Sequence, residues 1–188
     1  MTRQPSPPDD APPQPGPGSA FSIRPAREPD VGAVLAMIRA LAEFERLSHL
    51  VVATEADLHA SLFGPAPAAE VLIACDGATP AGFALYFHNY STFLGKRGLW
   101  LEDLWVEPAY RRRGCAQALL RALAGIAVER GCGRFEWAVL DWNHAAIDFY
   151  RSLGATVLPD WRIVRVVGPA LDRLADGSPS VASGSTTQ

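Results

Sequence analysis

The sequence predicts a mixed α/β domain in which one sheet is covered by helices. Strand-length apolar runs separated by turn residues alternate with segments whose apolar residues recur at helical spacing, and both ends are too poor in apolar side chains to join a core. "FSIRPA" (21–26) alternates like a strand and stops at a proline. Val31, Val34, Leu35, Ile38 and Leu41 then mark one face of a helix. Thr54, with Asp57 three residues on, opens a second helix through "EADLHASLF", which Gly64 and Pro65 end. "EVLIAC" and "AGFALYFHNY" flank "DGATP" and read as a hairpin, with "GLWLEDLWV" as a third strand. Ala116, Leu119, Leu120, Leu123 and Ile126 form the stripe of a helix that should end near Gly131. "GRFEWAVL" is the next strand, "NHAAIDFYRSLG" a short helix capped by Asn143 and stopped by Gly154, and "WRIVRVV" a closing strand.

At 188 residues, 48% hydrophobic and 20% charged, the chain has the material for one domain with a sizeable core. No apolar run reaches membrane length, so no membrane partner is expected. A net charge of -3 and a pI near 5.8 argue against nucleic acid as the partner, because neutralising phosphates requires a concentrated basic face. Cys75, Cys115 and Cys132 are odd in number and lack CxxC spacing, which fits a reducing cytoplasm. Residues 1–20 hold seven of the 16 prolines and read as a disordered tail, as does the Ser/Gly/Thr-rich end at 176–188. The domain is expected over 21–175. His49, His59, His88 and His144 are scattered without metal-ligand spacing, so no metal is expected.

"WLEDLWVEPAYRRRGCAQALL" (100–120) joins a strand to a helix through a turn bearing three arginines and a glycine. A helix start leaves several backbone N–H groups unpaired and carries about half a positive charge, which suits a phosphate. Arg111, Arg112 and Arg113 add permanently charged donors, although three consecutive side chains cannot all point one way. The pattern alone fits a phosphate turn or a solvated basic run. It contains neither a GxxxxGK[ST] nor a GxGxxG after the first strand.

"RRRGCA" matches the R/Q-x-x-G-x-G/A signature of the GNAT acetyltransferases at Arg111, Gly114 and Ala116. With "IRALAEFERLS", "YSTFLGK", "LWLEDLWV" and "VLDWNHAAIDFYRSLGA", the chain from Phe21 to Val167 resembles the diamine acetyltransferase branch of that superfamily. "VLDWN" and Ser91 in "YSTF" are closer to its thialysine members. The resemblance implies a GNAT-type fold: a mixed, mostly antiparallel twisted sheet flanked by helices. It also implies direct transfer of an acetyl group from acetyl-CoA to a primary amine through a tetrahedral intermediate, by a protein that pairs as a homodimer.

On the same resemblance, the backbone of Leu104, Trp105 and Val106 would pair with the pantetheine arm. Arg111, Arg112, Arg113, Gly114, Cys115, Ala116 and Gln117 would surround the pyrophosphate, with Asn143 beside the CoA. Tyr150 would be the general acid, since a phenol of pKa about 10 is protonated at neutral pH and a departing thiolate can take its proton. Glu102 would contact the amine and accept its proton. Phe44, Glu45, Asp103, Glu136, Trp137 and Asp160 would complete the acceptor cleft, although the loop from Ala155 to Trp161 is shorter than in diamine acetyltransferases. Neighbours on a strand face opposite sides, so Glu102 and Asp103 are expected apart. Cys115 is expected to be buried, at a helix start able to lower its pKa. The acceptor stays open between a lysine analogue such as thialysine and a diamine or polyamine. A protein lysine or N-terminal acetyltransferase and a non-catalytic CoA-binding module are the alternatives.

Overall fold

The structure is a computed structural model that describes residues 21–177. Of the tails expected over 1–20 and 176–188, residues 1–20 and 178–188 lie outside the described residues, while Asp176 and Gly177 form a turn. The chain divides into two compact units, the first through Ala138 and the second from Val139.

The first unit is a five-stranded sheet in the order β1 (Ser22–Pro25), β2 (Glu70–Asp76), β3 (Thr79–Ser91), β4 (Lys96–Val106), β5 (Phe135–Trp137). The first four strands are antiparallel and β5 runs parallel to β4. Its helices are α1 (Val31–Phe44), α2 (Glu55–Phe63) and α3 (Cys115–Glu129). The expected mixed α/β architecture, with a mostly antiparallel sheet, is the one observed.

The local signals act as read. Thr54 and Asp57 form the capping box of α2: the Asp57 amide donates to Thr54 Oγ1 at 3.2 Å and the Thr54 amide to Asp57 Oδ2 at 2.9 Å. Asp76 and Thr79 pair across a two-residue turn in which Gly77 takes a φ of 61°. Before α1, Arg24 grips both oxygens of Asp30 at 2.7 and 2.8 Å, which ties β1 to the helix entry.

Strand alternation divides the core. Val71, Ile73, Cys75, Phe83 and Trp105 face α1 and α2, where they meet Val34, Leu35, Met37, Leu58 and Leu62. Leu72, Ala74, Leu99 and Leu101 take the other face, which α3 covers with Leu119, Leu120 and Leu123. At the far end of α3, Arg130 forks onto both carboxylate oxygens of Glu70, to which the Tyr86 hydroxyl also donates at 3.0 Å.

The ladder between β3 and β4 changes register once. Leu85 lies opposite Asp103 and Tyr86 opposite Leu101, so Glu102 is an extra residue with no partner across from it. Beyond that point β4 diverges from β5, which pairs only with Leu99, Trp100 and Leu101. The expected strand "GRFEWAVL" is accordingly reduced to Phe135–Trp137.

The second unit contains α4 (His144–Ser152) and α5 (Pro169–Ala175). Asn143 caps α4 as expected, its side chain accepting from the Ala146 amide at 3.3 Å. "WRIVRVV" does not form its expected strand: residues 162–167 have no regular structure and Val164 is 88% exposed. Its β-branched composition favours a strand only where a neighbouring ladder receives it, and none pairs with it among the described residues. Sequence reading missed α5, although Pro169 at its first position and Leu171 and Leu174 three apart are helix signals.

Phe83 is fully buried at the centre of the α1 face. Phe83→Ala should lower unfolding free energy by about 3–5 kcal/mol, read as a lower urea midpoint at unchanged slope. A loss below about 1 kcal/mol would mean that this face is not the close-packed core described.

Candidate active site

The register change governs which backbone groups β4 leaves open. The Glu107 amide donates to Ala81 O at 2.9 Å, so odd-numbered residues of this stretch, Trp105 and Asp103 among them, turn their backbone groups toward β3. Leu104 and Val106 therefore point theirs outward, where β5 has already diverged. The Val106 carbonyl confirms this direction by accepting from Arg111 Nε at 3.0 Å. Of the three residues proposed as a docking strand, two present their backbone at the open edge and Trp105 does not.

After β4, a short 3₁₀ turn at Pro108–Tyr110 leads into α3. Arg112 and Gly114 have positive φ, 61° and 87°, and aim the chain so that the amides of the first helical turn, from Cys115 through Gln117, open the helix. A Cβ on Gly114 would meet nothing within 4 Å, so the left-handed backbone, rather than crowding, is what favours glycine.

The three arginines separate. The Arg111 guanidinium lies 4.5 Å from the Trp105 ring centre and 5.5 Å from that of Phe44, on the α1 side of the sheet. Arg113 pairs with Asp76 at 3.2 Å and covers Phe21 and Tyr110. Arg112 is exposed and has no side-chain partner among the described residues. Cys115 is buried; burial raises its thiol to about 11, aided by Cys75, in the opposite direction to the lowering a helix start allows.

Glu102 and Asp103 face the same side, contrary to the alternation expected of strand neighbours. Asp103 lies opposite Leu85 and two residues from Trp105, both on the α1 face. Glu102 shares its face with Trp100, whose indole N–H donates to Glu102 Oε2 at 2.8 Å, and Trp100 lies opposite Phe87 on that same face. The extra residue in β4 resets the alternation between the two acids. Burial pushes Asp103 up to about 6, with Glu102 and then Glu45 adding to the effect. Glu45, half-buried at the end of α1, is raised by burial. Phe44 packs on Trp105 at 6.0 Å.

Other expected acceptor residues are held differently. Glu136 pairs with Arg134 at 2.7 Å and accepts from Asn89 Nδ2 at 3.1 Å, so its charge is already met. Trp137 packs on Phe135 at 4.8 Å. In the second unit, Tyr150 lies on the last turn of α4 beside Phe149, and Asp160 is exposed in a turn. Among the described residues, no cluster of three or more His, Cys, Asp or Glu could hold a metal, and no helix is long and apolar enough to cross a membrane.

An open strand edge at Leu104 and Val106 thus leads through a glycine turn into a helix start. Residues 35–155 match the sequence profile of the Acetyltransferase (GNAT) family. The chain belongs to the GNAT family. This acetyltransferase is 42% identical to the thialysine N-epsilon-acetyltransferase of Sus scrofa over 164 residues, covering 81% of the chain and 96% of the relative. It is 35% identical to an L-ornithine N5-acetyltransferase of Arabidopsis thaliana, covering 81% and 86% respectively. Among solved structures, an integron cassette protein from the mobile metagenome of V. cholerae superposes with a TM-score of 0.70 at 25% identity, covering 84% of this chain and 99% of that one.

The raised carboxyl of Asp103 carries a stability consequence for the acetyltransferase. The folded state binds its proton more tightly than the unfolded chain does, so folding loses stability as pH rises from about 4 to about 6. Asp103→Asn should therefore stabilise the protein at pH 7.5 by roughly 3 kcal/mol at most. The gain should shrink as pH falls through 6 toward 4; in urea titrations at several pH values, a gain independent of pH would contradict this origin.

Proposed function

We propose that this N-acetyltransferase moves an acetyl group from acetyl-CoA to the side-chain amine of a small amino acid of the thialysine or ornithine type. The observation that carries the proposal is the β4 register change, which leaves the outward backbone of Leu104 and Val106 open and turns Glu102 and Asp103 together toward Glu45. Three carboxyl groups on one face suit a cationic acceptor. The named activities of the pig and Arabidopsis relatives support an amino acid over a polyamine.

The residues fit the donor. Leu104 offers its amide N–H and C=O, and Val106 its amide N–H, in the spacing by which an extended arm adds to a strand, while the Val106 carbonyl is held by Arg111. The Arg112 to Gln117 turn offers helix-start amides and the unpartnered Arg112 guanidinium for a pyrophosphate. Arg111 and Arg113, engaged by aromatic rings and Asp76, act by shaping the turn. Asn143 and Tyr150 join the cofactor side on the family resemblance.

Acetyl-CoA supplies an acetyl thioester. Glu102 takes one proton from the acceptor ammonium, directly or through a water, leaving a nucleophilic amine. As the C–N bond forms and the C–S bond breaks, Tyr150 protonates the leaving sulfur and regains a proton from the nitrogen that becomes the amide. The net products are the N-acetylated amine, CoA thiol and one proton.

Acetylation assays with thialysine, ornithine, lysine, putrescine, spermidine and a lysine-containing peptide test the acceptor. The amino acids with a free side-chain amine should give the highest kcat/KM. Transfer confined to the peptide, or CoA binding without turnover of any amine, would replace this reading. Tyr150→Phe should reduce kcat about a hundredfold or more, the scale of general-acid catalysis, with acetyl-CoA affinity nearly unchanged. Unchanged turnover would remove Tyr150 from the chemistry.

A further inference from the structure

Glu102 combines two properties that work against each other in a residue required to meet a substrate at a fixed point. As the extra residue in β4 it has no partner across the ladder, and its side chain is exposed. A long carboxylate in that position has several rotamers of similar energy. One contact limits them: the indole N–H of Trp100, two residues earlier on the same face, donates to Oε2 at 2.8 Å. Oε1 has no hydrogen-bond partner among the described residues.

Trp100 is itself held in place. It is half-buried, lies opposite Phe87 in the antiparallel ladder, and on its other side stands in register with Glu136 of β5. Glu136 is anchored by Arg134 and by Asn89 of β3. The indole thus rises from a point where three strands are joined, just before β4 and β5 part.

The chemical type of the donor matters. An arginine or lysine in this place would form an ion pair with Glu102, cancel its charge and repel an ammonium ion. An indole nitrogen only donates and carries no charge, so it fixes one oxygen and leaves the negative charge for the acceptor. Glu136 shows the contrast on the same face, its charge met by Arg134.

We propose that Trp100 is a positioning residue for the acceptor: its indole N–H orients Glu102 so that the second carboxylate oxygen faces the amine, without neutralising it. This rests on Glu102 being the acid that meets the acceptor.

The test is a double-mutant cycle on the full chain with ornithine and thialysine. Trp100→Phe retains an aromatic ring and removes only the donor. It should lower kcat/KM for the amine about five- to tenfold, the scale of one charge-assisted hydrogen bond weakened by solvent. The KM for acetyl-CoA and the thermal midpoint should change little. In a Glu102→Ala background, which removes the accepting oxygen as well as the charge, the same Trp100→Phe change should alter kcat/KM less than about twofold, because its route of action is already removed. An equal loss in both backgrounds would show that Trp100 acts through general packing and would overturn the proposal. No loss in the wild-type background, with Glu102→Ala still impaired, would overturn it while leaving the functional reading intact. If Glu102→Ala alone leaves amine kinetics unchanged, both the proposal and the assignment of Glu102 fall.

Discussion

The site depends on one irregularity in hydrogen bonding, the residue by which β4 exceeds β3 between Leu101 and Asp103. A regular ladder would place Glu102 and Asp103 on opposite faces and keep the outward-pointing backbone groups of β4 in step with β5. With the extra residue, both acids turn to the α1 face, and the outward set passes from Leu99 and Leu101, which β5 receives, to Leu104 and Val106, which it does not. The acidic face and the open edge thus have a common cause.

The charges near this edge are sorted by what each can touch. Arg111 and Arg113 spend their charge on aromatic faces and on Asp76, which fixes the turn between β4 and α3. Arg112 remains outward beside the helix start. On the α1 face, Glu136 is matched by Arg134, whereas Asp103 has Glu102 and Glu45 for neighbours, and its carboxyl is raised by burial first, with Glu102 and then Glu45 adding to the effect.

Much of this was legible in the sequence because it is locally encoded. Thr54 and Asp57 announced α2, Asn143 announced α4, and the stripe from Leu119 to Ile126 announced α3. Glu102, Gly114 and the run Leu104 to Val106 were singled out as candidates by the motif that joins them, but which of that run turn their backbone outward was not legible. What was not legible depends on partners distant in the chain. "WRIVRVV" has strand composition but no ladder among the described residues, and the facing of Asp103 depends on a register that only the pairing with Leu85 sets. The fates of Arg111 and Arg113 were equally hidden, since Phe44, Trp105, Phe21 and Asp76 reach them from other elements.

Amide hydrogen exchange resolved at single residues, measured with and without CoA, tests the central claim that the β4 register change exposes a docking edge. The Trp105 amide, committed to β3, should exchange slowly in both states, while those of Leu104 and Val106 should exchange fast in the free protein and become protected when CoA binds. Protection of Leu104 and Val106 in the free protein, or no change in either on adding saturating CoA, would contradict the account.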